Sequence, residues 1–353
     1  MTIADLARPE IRALRPYEAA QQVDDTIRLN ANEAPWTNAA DHFRRPLNRY
    51  PEIRPVALGE SLATHFRCDS DRLLVTRGTS EAIDLLIRAF CREGRDNIVT
   101  TSPTFSMYGH YAKVQGALER SVETRAVDDF AFDVDALLDA CDDSTRLLFV
   151  CSPNNPTGTV LPRPALVEIL ERRGERSAVV VDEAYIEFSD ENSAVELLQQ
   201  FGNLVVLRTL SKALAFAGAR CGAVMGPVDV VRMLNAIQAP YAMSTPVVEC
   251  VEDALQASGL DEAARSVEIV IRERQRLMDG MRQFSFVERV WPSAANFFLI
   301  RVNDSGAVMR HSEQERVLLR DFDDNLEDCI RITLGNPDEN DRLLRAFEQI
   351  EAD

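Results

Sequence analysis

The sequence predicts an α/β protein with a largely parallel sheet sandwiched by helices, joined to a smaller α+β domain. Through the middle of the chain, apolar runs rich in β-branched residues alternate with amphipathic stretches. The apolar runs are continuous rather than alternating, as in parallel strands that are buried on both faces. After Pro246 the pattern changes to a long helical stretch followed by shorter strand candidates, which indicates a second domain.

Each element of this prediction has a local pattern. The large sheet is predicted to contain strands at residues 73–76, 97–101, 146–150, 178–181, 203–207 and 222–225, with helices at 80–91, 162–173 and 227–238. The second domain is predicted to contain a long helix at 260–284, strands at 295–302, 317–320 and 329–334, and a closing helix at 338–350. We therefore expect an N-terminal segment (1–45) that packs with the small domain, a large domain (46–245), and an interdomain helix with the small domain (246–353).

Composition excludes several classes of function. The chain has 353 residues and a formal net charge of −18, which argues against nucleic-acid binding because that requires basic patches. No apolar run is long enough to cross a bilayer, and the N-terminus lacks the apolar core of a signal peptide. The seven cysteines and four histidines show no metal-binding spacing. The cysteines are scattered and odd in number, which suits a reducing compartment. We expect a cytoplasmic protein without a metal site or membrane partner.

Lysine is nearly absent from the chain. Of 39 basic residues, only Lys113 and Lys212 are lysines. Arginine can replace lysine in most surface roles but not as an amine nucleophile, because its guanidinium stays protonated. Lys212 lies just beyond the predicted strand 203–207, at the end of a Thr-Leu-Ser-Lys sequence. This position predicts a functional amine that forms a Schiff base, most commonly with the aldehyde of pyridoxal phosphate.

A carboxylate and two hydrogen-bond donors follow two other predicted strands. Asp182 comes directly after three valines, where a buried carboxylate needs a cationic partner such as a pyridinium nitrogen. It could alternatively cap the next helix. Asn155, in a turn with two prolines and a glycine, and Tyr185 could donate hydrogen bonds to the phenolate oxygen of the cofactor. Taken alone, that turn could be a simple strand-to-helix connection.

Two further strand ends suit a phosphate and an aromatic ring. Thr79 and Ser80 begin a predicted helix, whose N-terminal backbone N–H groups favour an anion. Ser211 and Arg220 could add a hydroxyl and a guanidinium to the same phosphate. Phe105 could stack on the pyridine ring, although an aromatic residue near a strand end is more often part of the core. All of these residues follow predicted strands of one sheet, and ligands of such sheets bind at the carboxyl ends of the strands. Together they predict one cofactor site.

The chain resembles, nearly end to end, the pyridoxal-phosphate-dependent aminotransferases of the aspartate-aminotransferase-like fold, and within them the histidinol-phosphate aminotransferases. Asn-Asn-Pro-Thr-Gly at 154–158 and Ser-Lys at 211–212 carry the broad resemblance. N-terminal elements at 5–8, 14–17, 29–33 and 48–52 carry the narrower one. The resemblance implies that Lys212 binds the cofactor covalently, Asp182 pairs with the ring nitrogen, Asn155 and Tyr185 hold the phenolate oxygen, and Phe105 stacks on the ring.

The resemblance also assigns the phosphate and substrate contacts. It places Thr79, Ser80, Ser211 and Arg220 on the cofactor phosphate. It implies a homodimer with shared active sites, because Tyr50 would reach that phosphate from the neighbouring subunit. The residues implied for the substrate pocket are Tyr17, Asn32, Arg320 and Arg331, with Arg331 the candidate for the α-carboxylate of glutamate. Two departures are that Phe105 stands where some relatives have tyrosine and that residues 313–316 lack the glycine turn common in relatives.

The implied reaction is transamination of L-histidinol phosphate with 2-oxoglutarate, which gives imidazole acetol phosphate and L-glutamate in histidine biosynthesis. Two alternatives share the fold and the cofactor: an aromatic amino acid aminotransferase and a phosphothreonine decarboxylase. A non-catalytic regulator on this scaffold would be expected to carry a basic DNA-binding extension, which the sequence lacks. A nicotinamide-dependent dehydrogenase would need a Gly-rich fingerprint after the first strand, and it would leave Lys212 unexplained.

Overall fold

The computed structural model describes residues 2–17, 20, 22, 26–322 and 326–352. These residues form a seven-stranded and a four-stranded sheet. The strands of the large sheet are β1 (Leu73–Thr76), β2 (Asn97–Ser102), β3 (Leu118–Glu123), β4 (Thr145–Cys151), β5 (Ala178–Asp182), β6 (Leu204–Thr209) and β7 (Gly222–Met225). The strands of the small sheet are β8 (Val287–Val290), β9 (Phe297–Val302), β10 (Arg320–Asp321) and β11 (Cys329–Thr333).

The α-helices of the described residues cover both faces of the large sheet and one side of the small one. They are α1 (Pro9–Arg12), α2 (Val56–Phe66), α3 (Gly78–Phe90), α4 (Met107–Gln115), α5 (Val134–Asp139), α6 (Arg163–Arg173), α7 (Val228–Ile237), α8 (Thr245–Ala254), α9 (Ala257–Met281), α10 (Ser305–Gln314) and α11 (Pro337–Ala352). Among these residues, no helix has the length and apolar character needed to span a bilayer. No cluster of potential metal ligands occurs in the same part of the chain.

The large sheet has the strand order β1-β7-β6-β5-β4-β2-β3, and β7 is the strand that runs antiparallel to its neighbours. Every residue of β5 and β6 is buried, because helices cover both faces of the sheet. This double burial explains the continuous apolar runs of the sequence. The predicted fold class is confirmed, and β1 and β7 have the predicted bounds.

The small sheet is antiparallel throughout and has the strand order β10-β11-β9-β8. Its core is formed with α9, α10 and α11 and includes the fully buried rings of Phe298 and Phe347. The predicted strand 317–320 is wrong for residues 317–319, since only Arg320 and Asp321 pair in β10. The glycine-free stretch before it still makes a turn, because Arg316 adopts a left-handed conformation with φ of 59°.

The beginning of the chain differs from the expectation that it packs with the small domain. The side chains of Ile3 and Ala7 are buried in the core of the large domain, against residues of α3 and α7. The backbone N–H of Arg8 donates to the carbonyl of Ala89 at 2.9 Å. Ile3 and Ala7 therefore pack with the helices of the large sheet.

Candidate active site

The carboxyl ends of the parallel strands meet at one edge of the large sheet. Cys151 at the end of β4 lies opposite Asp182 at the end of β5, and Asp182 lies opposite Leu207 of β6. A cavity of about 160 Å³ opens at this edge. Its lining includes nine of the residues predicted from the sequence: Thr79, Ser80, Phe105, Asn155, Asp182, Tyr185, Ser211, Lys212 and Arg220.

The amine of Lys212 faces this cavity. Its Nζ atom lies 5.5 Å from the ring centroid of Tyr185. Burial and the positive charges of Arg331 and Arg220 lower the pKa of Lys212. The Lys212 side chain is exposed to the open cavity, although the surrounding protein atoms partly desolvate its amine. A lowered pKa increases the fraction of neutral amine, which is the form that attacks an aldehyde or accepts a proton.

The carboxylate of Asp182 is buried on the sheet side of the cavity. Burial raises its pKa to about 6, against the opposing effect of its hydrogen bonds. The hydroxyl of Tyr108 donates to Oδ2 at 2.9 Å, and the backbone N–H of Ala184 donates to Oδ1 at 3.2 Å. A cation placed in the cavity would offset the cost of the buried negative charge. The protonated nitrogen of a pyridine ring is such a cation.

The opposite end of the cavity has the features of a phosphate site. Thr79 and Ser80 belong to the first turn of α3, where backbone N–H groups lack partners within the helix. The guanidinium of Arg220 donates to the Ser211 hydroxyl at 3.3 Å. Gly78 has φ of 74°, and a Cβ atom there would lie 2.8 Å from Nη2 of Arg220. Glycine is therefore required for Arg220 to approach the turn this closely.

Hydrogen-bond donors lie between the two ends of the cavity. The amide oxygen of Asn155 accepts from Nη1 of Arg331 at 2.5 Å, which leaves the Asn155 NH₂ group as a donor for another acceptor. Burial raises the pKa of Tyr185, so its hydroxyl also remains a donor. The Tyr185 ring is held edge-on by Phe297, with centroids 5.0 Å apart. These donors suit the phenolate oxygen of pyridoxal phosphate.

A larger cleft of about 990 Å³ continues from this cavity towards the small domain. Asn155, Tyr185 and Lys212 line it together with the two predicted substrate residues Arg320 and Arg331. The amine of Lys212 is therefore accessible from a space that two guanidinium groups also line. Such a cleft suits a substrate that carries an amine at one end and an anion at the other.

Three predicted residues lie outside both cavities. Tyr50 is half-exposed and stacks on Tyr241, with ring centroids 4.8 Å apart. Tyr17 is exposed. Asn32 is exposed and has φ of 55°. Within this single chain, the three residues do not contribute to the pocket that contains Lys212.

Several residues of the site were not predicted from the sequence. Cys151, Thr209 and Ala217 line the cavity, and Phe322 lines the cleft. Tyr108 lies behind the cavity and contacts Asp182 directly. No sequence signal marks these residues, since a tyrosine or a cysteine in an apolar stretch is most often part of the core.

The arrangement fits pyridoxal 5'-phosphate at each of its functional groups. Lys212 would face the aldehyde, Asp182 would provide a buried anion for the ring nitrogen, and Asn155 with Tyr185 would provide donors for the phenolate oxygen. The phosphate would be held by Thr79, Ser80, Ser211 and Arg220, and Phe105 lines the same cavity as a candidate for stacking on the ring. The buried carboxylate, with its raised pKa, is the observation that most specifically calls for a cationic ring.

Comparisons with known proteins show the family of the chain. A model of the family described as aminotransferase class I and II matches residues 19–347. A histidinol-phosphate aminotransferase from Xylella fastidiosa (strain 9a5c) is 41% identical over 99% of this chain and 98% of its own length. A histidinol-phosphate aminotransferase from Salmonella arizonae is 37% identical over 98% of this chain and 97% of its own.

Similar folds occur among solved structures. A histidinol-phosphate aminotransferase from Clostridium acetobutylicum superposes with a TM-score of 0.79 at 22% identity, covering 87% of this chain and 91% of that one. A histidinol-phosphate aminotransferase from Sinorhizobium meliloti, in complex with pyridoxal-5'-phosphate, superposes with a TM-score of 0.77 at 23% identity, covering 87% and 83%. At these identities, the superpositions establish the fold.

Proposed function

Because the chain belongs to the class I and II aminotransferase family, we propose that it transfers the amino group of L-histidinol phosphate to 2-oxoglutarate. The products are imidazole acetol phosphate and L-glutamate, a step of histidine biosynthesis. Pyridoxal 5'-phosphate is the cofactor. The observation that carries the proposal is the cavity in which the amine of Lys212 and the buried carboxylate of Asp182 lie together, open to a cleft with two arginines. The full-length similarity to histidinol-phosphate aminotransferases supports the choice of substrate.

Bound pyridoxal phosphate supplies an aldehyde that carries the amino group and a ring that withdraws electrons from the substrate α-carbon. Lys212 would hold the cofactor covalently through Nζ when no substrate is bound. The same Nζ atom, when neutral, would take the proton from the substrate α-carbon and hold it until it is returned. The lowered pKa of Lys212 increases the fraction of the neutral amine, which is the form that acts as a base. Asp182 would hold the proton on the ring nitrogen of the bound cofactor.

The two arginines of the cleft recognise the anionic groups of the substrates. We assign Arg331 to the α-carboxylate of glutamate and 2-oxoglutarate, and Arg320, with or without Arg331, to the phosphate of histidinol phosphate. Guanidinium groups bind carboxylates and phosphates with paired hydrogen bonds. Because the whole chain carries a net charge of −18, this local pair of cations is what attracts an anionic substrate. Tyr17 and Asn32 would complete the pocket.

We further propose a homodimer with shared active sites, located in the cytoplasm. Large apolar side chains of the N-terminal segment are exposed in the single chain, including Leu29 at 90% and Trp36 at 81%. A patch of this kind is typical of a subunit interface. Tyr50 belongs to the same region and does not line the cofactor cavity of its own chain. In the dimer it would reach the cofactor phosphate of the second subunit. Free cysteines such as the exposed Cys250 suit a reducing compartment.

A substrate comparison tests the proposal. The purified protein, loaded with pyridoxal phosphate, is incubated with 2-oxoglutarate and L-histidinol phosphate, L-phenylalanine, L-tyrosine or O-phospho-L-threonine, and glutamate and carbon dioxide are measured. We expect glutamate from histidinol phosphate with the highest kcat/KM. Higher kcat/KM for the aromatic amino acids would favour an aromatic aminotransferase. Release of carbon dioxide from phosphothreonine without 2-oxoglutarate would favour a decarboxylase.

A further inference from the structure

We propose that Tyr108 is a positioning residue for this reaction: its hydroxyl holds the Asp182 carboxylate ionised and oriented towards the ring nitrogen of the bound cofactor. The inference rests on the proposed function, since it concerns how the chain maintains the partner of that nitrogen. It assigns a role to a residue that lines neither cavity. It also explains why a polar hydroxyl is buried in the core between α4 and the sheet.

The contact is short and shielded from water. The hydroxyl oxygen of Tyr108 lies 2.9 Å from Oδ2 of Asp182, and both residues are buried. The two residues are 74 positions apart in sequence, on α4 and β5, so the contact forms only when the helix packs against the sheet. A hydrogen bond from a neutral donor to a buried carboxylate is stronger than one between neutral groups, because the charge is poorly screened there.

The Tyr108 ring is fixed on two sides. It stacks on Phe149 of β4, with centroids 4.8 Å apart and planes at 17°. Its edge meets the ring of Phe105, with centroids 5.7 Å apart and planes at 85°. Phe105 is the residue that forms the aromatic wall of the cofactor cavity. Tyr108 therefore connects the wall of the cavity with the carboxylate beneath it, and its hydroxyl has little freedom to turn away.

The carboxylate is held on both oxygens. Tyr108 occupies Oδ2, and the backbone N–H of Ala184 occupies Oδ1. Because each oxygen has a second lone pair, both contacts leave room for a donor from the cavity side. Two fixed donors restrict the rotation of the carboxyl group, so its remaining acceptor positions point in a defined direction. A ring nitrogen then meets an oriented acceptor at no additional entropic cost.

The other charged and titratable groups around Asp182 do not replace this contact. Glu183 adds a second negative charge from just beyond the end of β5, Lys212 adds a positive charge from beyond β6, and Cys151 lies opposite Asp182 on β4. Desolvation favours the protonated carboxyl, whereas Tyr108 and Ala184 favour the ionised form by hydrogen bonding. Without the Tyr108 hydroxyl, Oδ2 of a buried carboxylate would lose its side-chain donor.

The test is the variant Tyr108→Phe, which removes only the hydroxyl and keeps the stacked ring. Its matched control is Tyr111→Phe, because Tyr111 lies on the same helix but packs against His110 instead of Asp182. Apoproteins are titrated by equilibrium dialysis with pyridoxal phosphate and with its 1-deaza analogue, in which carbon replaces the ring nitrogen. We expect Tyr108→Phe to bind pyridoxal phosphate about 10- to 100-fold more weakly and the analogue within about twofold of wild type. Tyr111→Phe should match wild type with both probes.

A double-variant cycle with Asp182→Asn provides a second readout. If Tyr108 acts through Asp182, adding Tyr108→Phe to Asp182→Asn should weaken pyridoxal phosphate binding by less than about threefold. Wild-type affinity in Tyr108→Phe, or an equal loss for both probes, would overturn the proposal and leave the transamination untouched. A wild-type protein that neither binds pyridoxal phosphate nor forms glutamate would contradict the proposed function instead.

Discussion

Arg320 and Arg331 are directly opposite each other across the antiparallel strands β10 and β11. Both guanidinium groups lie over the ring of Phe322, with centroid distances of 5.6 and 5.5 Å. Burial and the charge of Arg320 lower the pKa of Arg331. Two adjacent cations repel each other, and an anion between them relieves this repulsion. The cross-strand register therefore places two cations together in the cleft next to the cavity of Lys212, where they would bind an anion.

Conservative substitution of each arginine should separate the two substrates. Lysine keeps the charge but loses the paired hydrogen bonds of guanidinium. We expect Arg331→Lys to raise the KM for 2-oxoglutarate by about 10- to 100-fold, the effect of losing one charge-assisted hydrogen bond or two. Arg320→Lys should raise the KM for histidinol phosphate and leave that for 2-oxoglutarate within about threefold. Steady-state kinetics with each substrate varied in turn measure the difference, and equal effects of both variants on both substrates would contradict the assignment.

Replacement of Lys212 by alanine should abolish turnover, since the chain loses both its covalent attachment point and its base. We expect kcat to fall by at least about 10⁴-fold. The control is Lys113→Arg, which alters the other lysine while keeping its charge. Borohydride reduction followed by peptide mass mapping should place the cofactor adduct on Lys212 in wild type and in Lys113→Arg. An adduct on Lys113 would contradict the assignment.

The central strands could be predicted from sequence because both of their faces are buried. Strand β3 was missed for the opposite reason: it is an edge strand, and Leu118 is 64% exposed among polar neighbours. Strand β10 has only two residues, too few to form a pattern. The position of residues 3–8 depends on a groove between two helices, which local sequence does not reveal.

The cofactor cavity was predicted more completely than the parts that support it. Its residues follow strands at one sheet edge, so topology alone gathers them. Tyr108 is different, because its function depends on a partner 74 positions away and its surroundings are those of a core aromatic. Tyr17, Asn32 and Tyr50 were proposed from resemblance, and a single chain leaves them outside both cavities. Their roles remain predictions that require a second subunit.

Asp182 should lower the free energy of unfolding of the apoprotein at neutral pH. Its pKa is about 6 in the folded protein and near 3.8 when unfolded, so the folded state binds the proton more tightly. The contribution of this carboxyl group to the free energy of unfolding is fully present below pH 3.8. It is lost as the pH rises through about 6. Replacing Asp182 by asparagine removes that loss. The apoprotein of the variant should gain up to roughly 3 kcal/mol of unfolding free energy, relative to wild type, between pH 4 and pH 7.

Denaturant unfolding of both apoproteins at several pH values measures this difference. The same variant should bind pyridoxal phosphate more weakly, because the ring nitrogen loses its anionic partner. Asp182 would thus be retained for function at the expense of stability. A stability difference between the two apoproteins that does not change with pH would show that the carboxyl group titrates normally.

Gly78 should be required for the phosphate end of the cavity. In Gly78→Ala, the new Cβ atom would lie 2.8 Å from Nη2 of Arg220 and force the guanidinium away. We expect about tenfold weaker binding of pyridoxal phosphate by the apoprotein. Gly94→Ala is the control, because Gly94 also has a positive φ, of 63°, but open space around it. Both variants should lose roughly 1 to 2 kcal/mol of stability from backbone strain, and only Gly78→Ala should lose cofactor affinity.

Shared active sites predict complementation between two defective subunits. The Tyr50→Phe variant removes the hydroxyl that would reach the phosphate of the neighbouring subunit, and it keeps the ring that stacks on Tyr241. The Lys212→Ala variant lacks the catalytic amine. In a hybrid dimer, one site combines the intact Lys212 of one subunit with the intact Tyr50 of the other. Hybrids purified through two different affinity tags should recover about half of the wild-type kcat per dimer. If Tyr50 instead served its own chain, no site of the hybrid would be intact, and its activity would not exceed that of the Tyr50→Phe dimer.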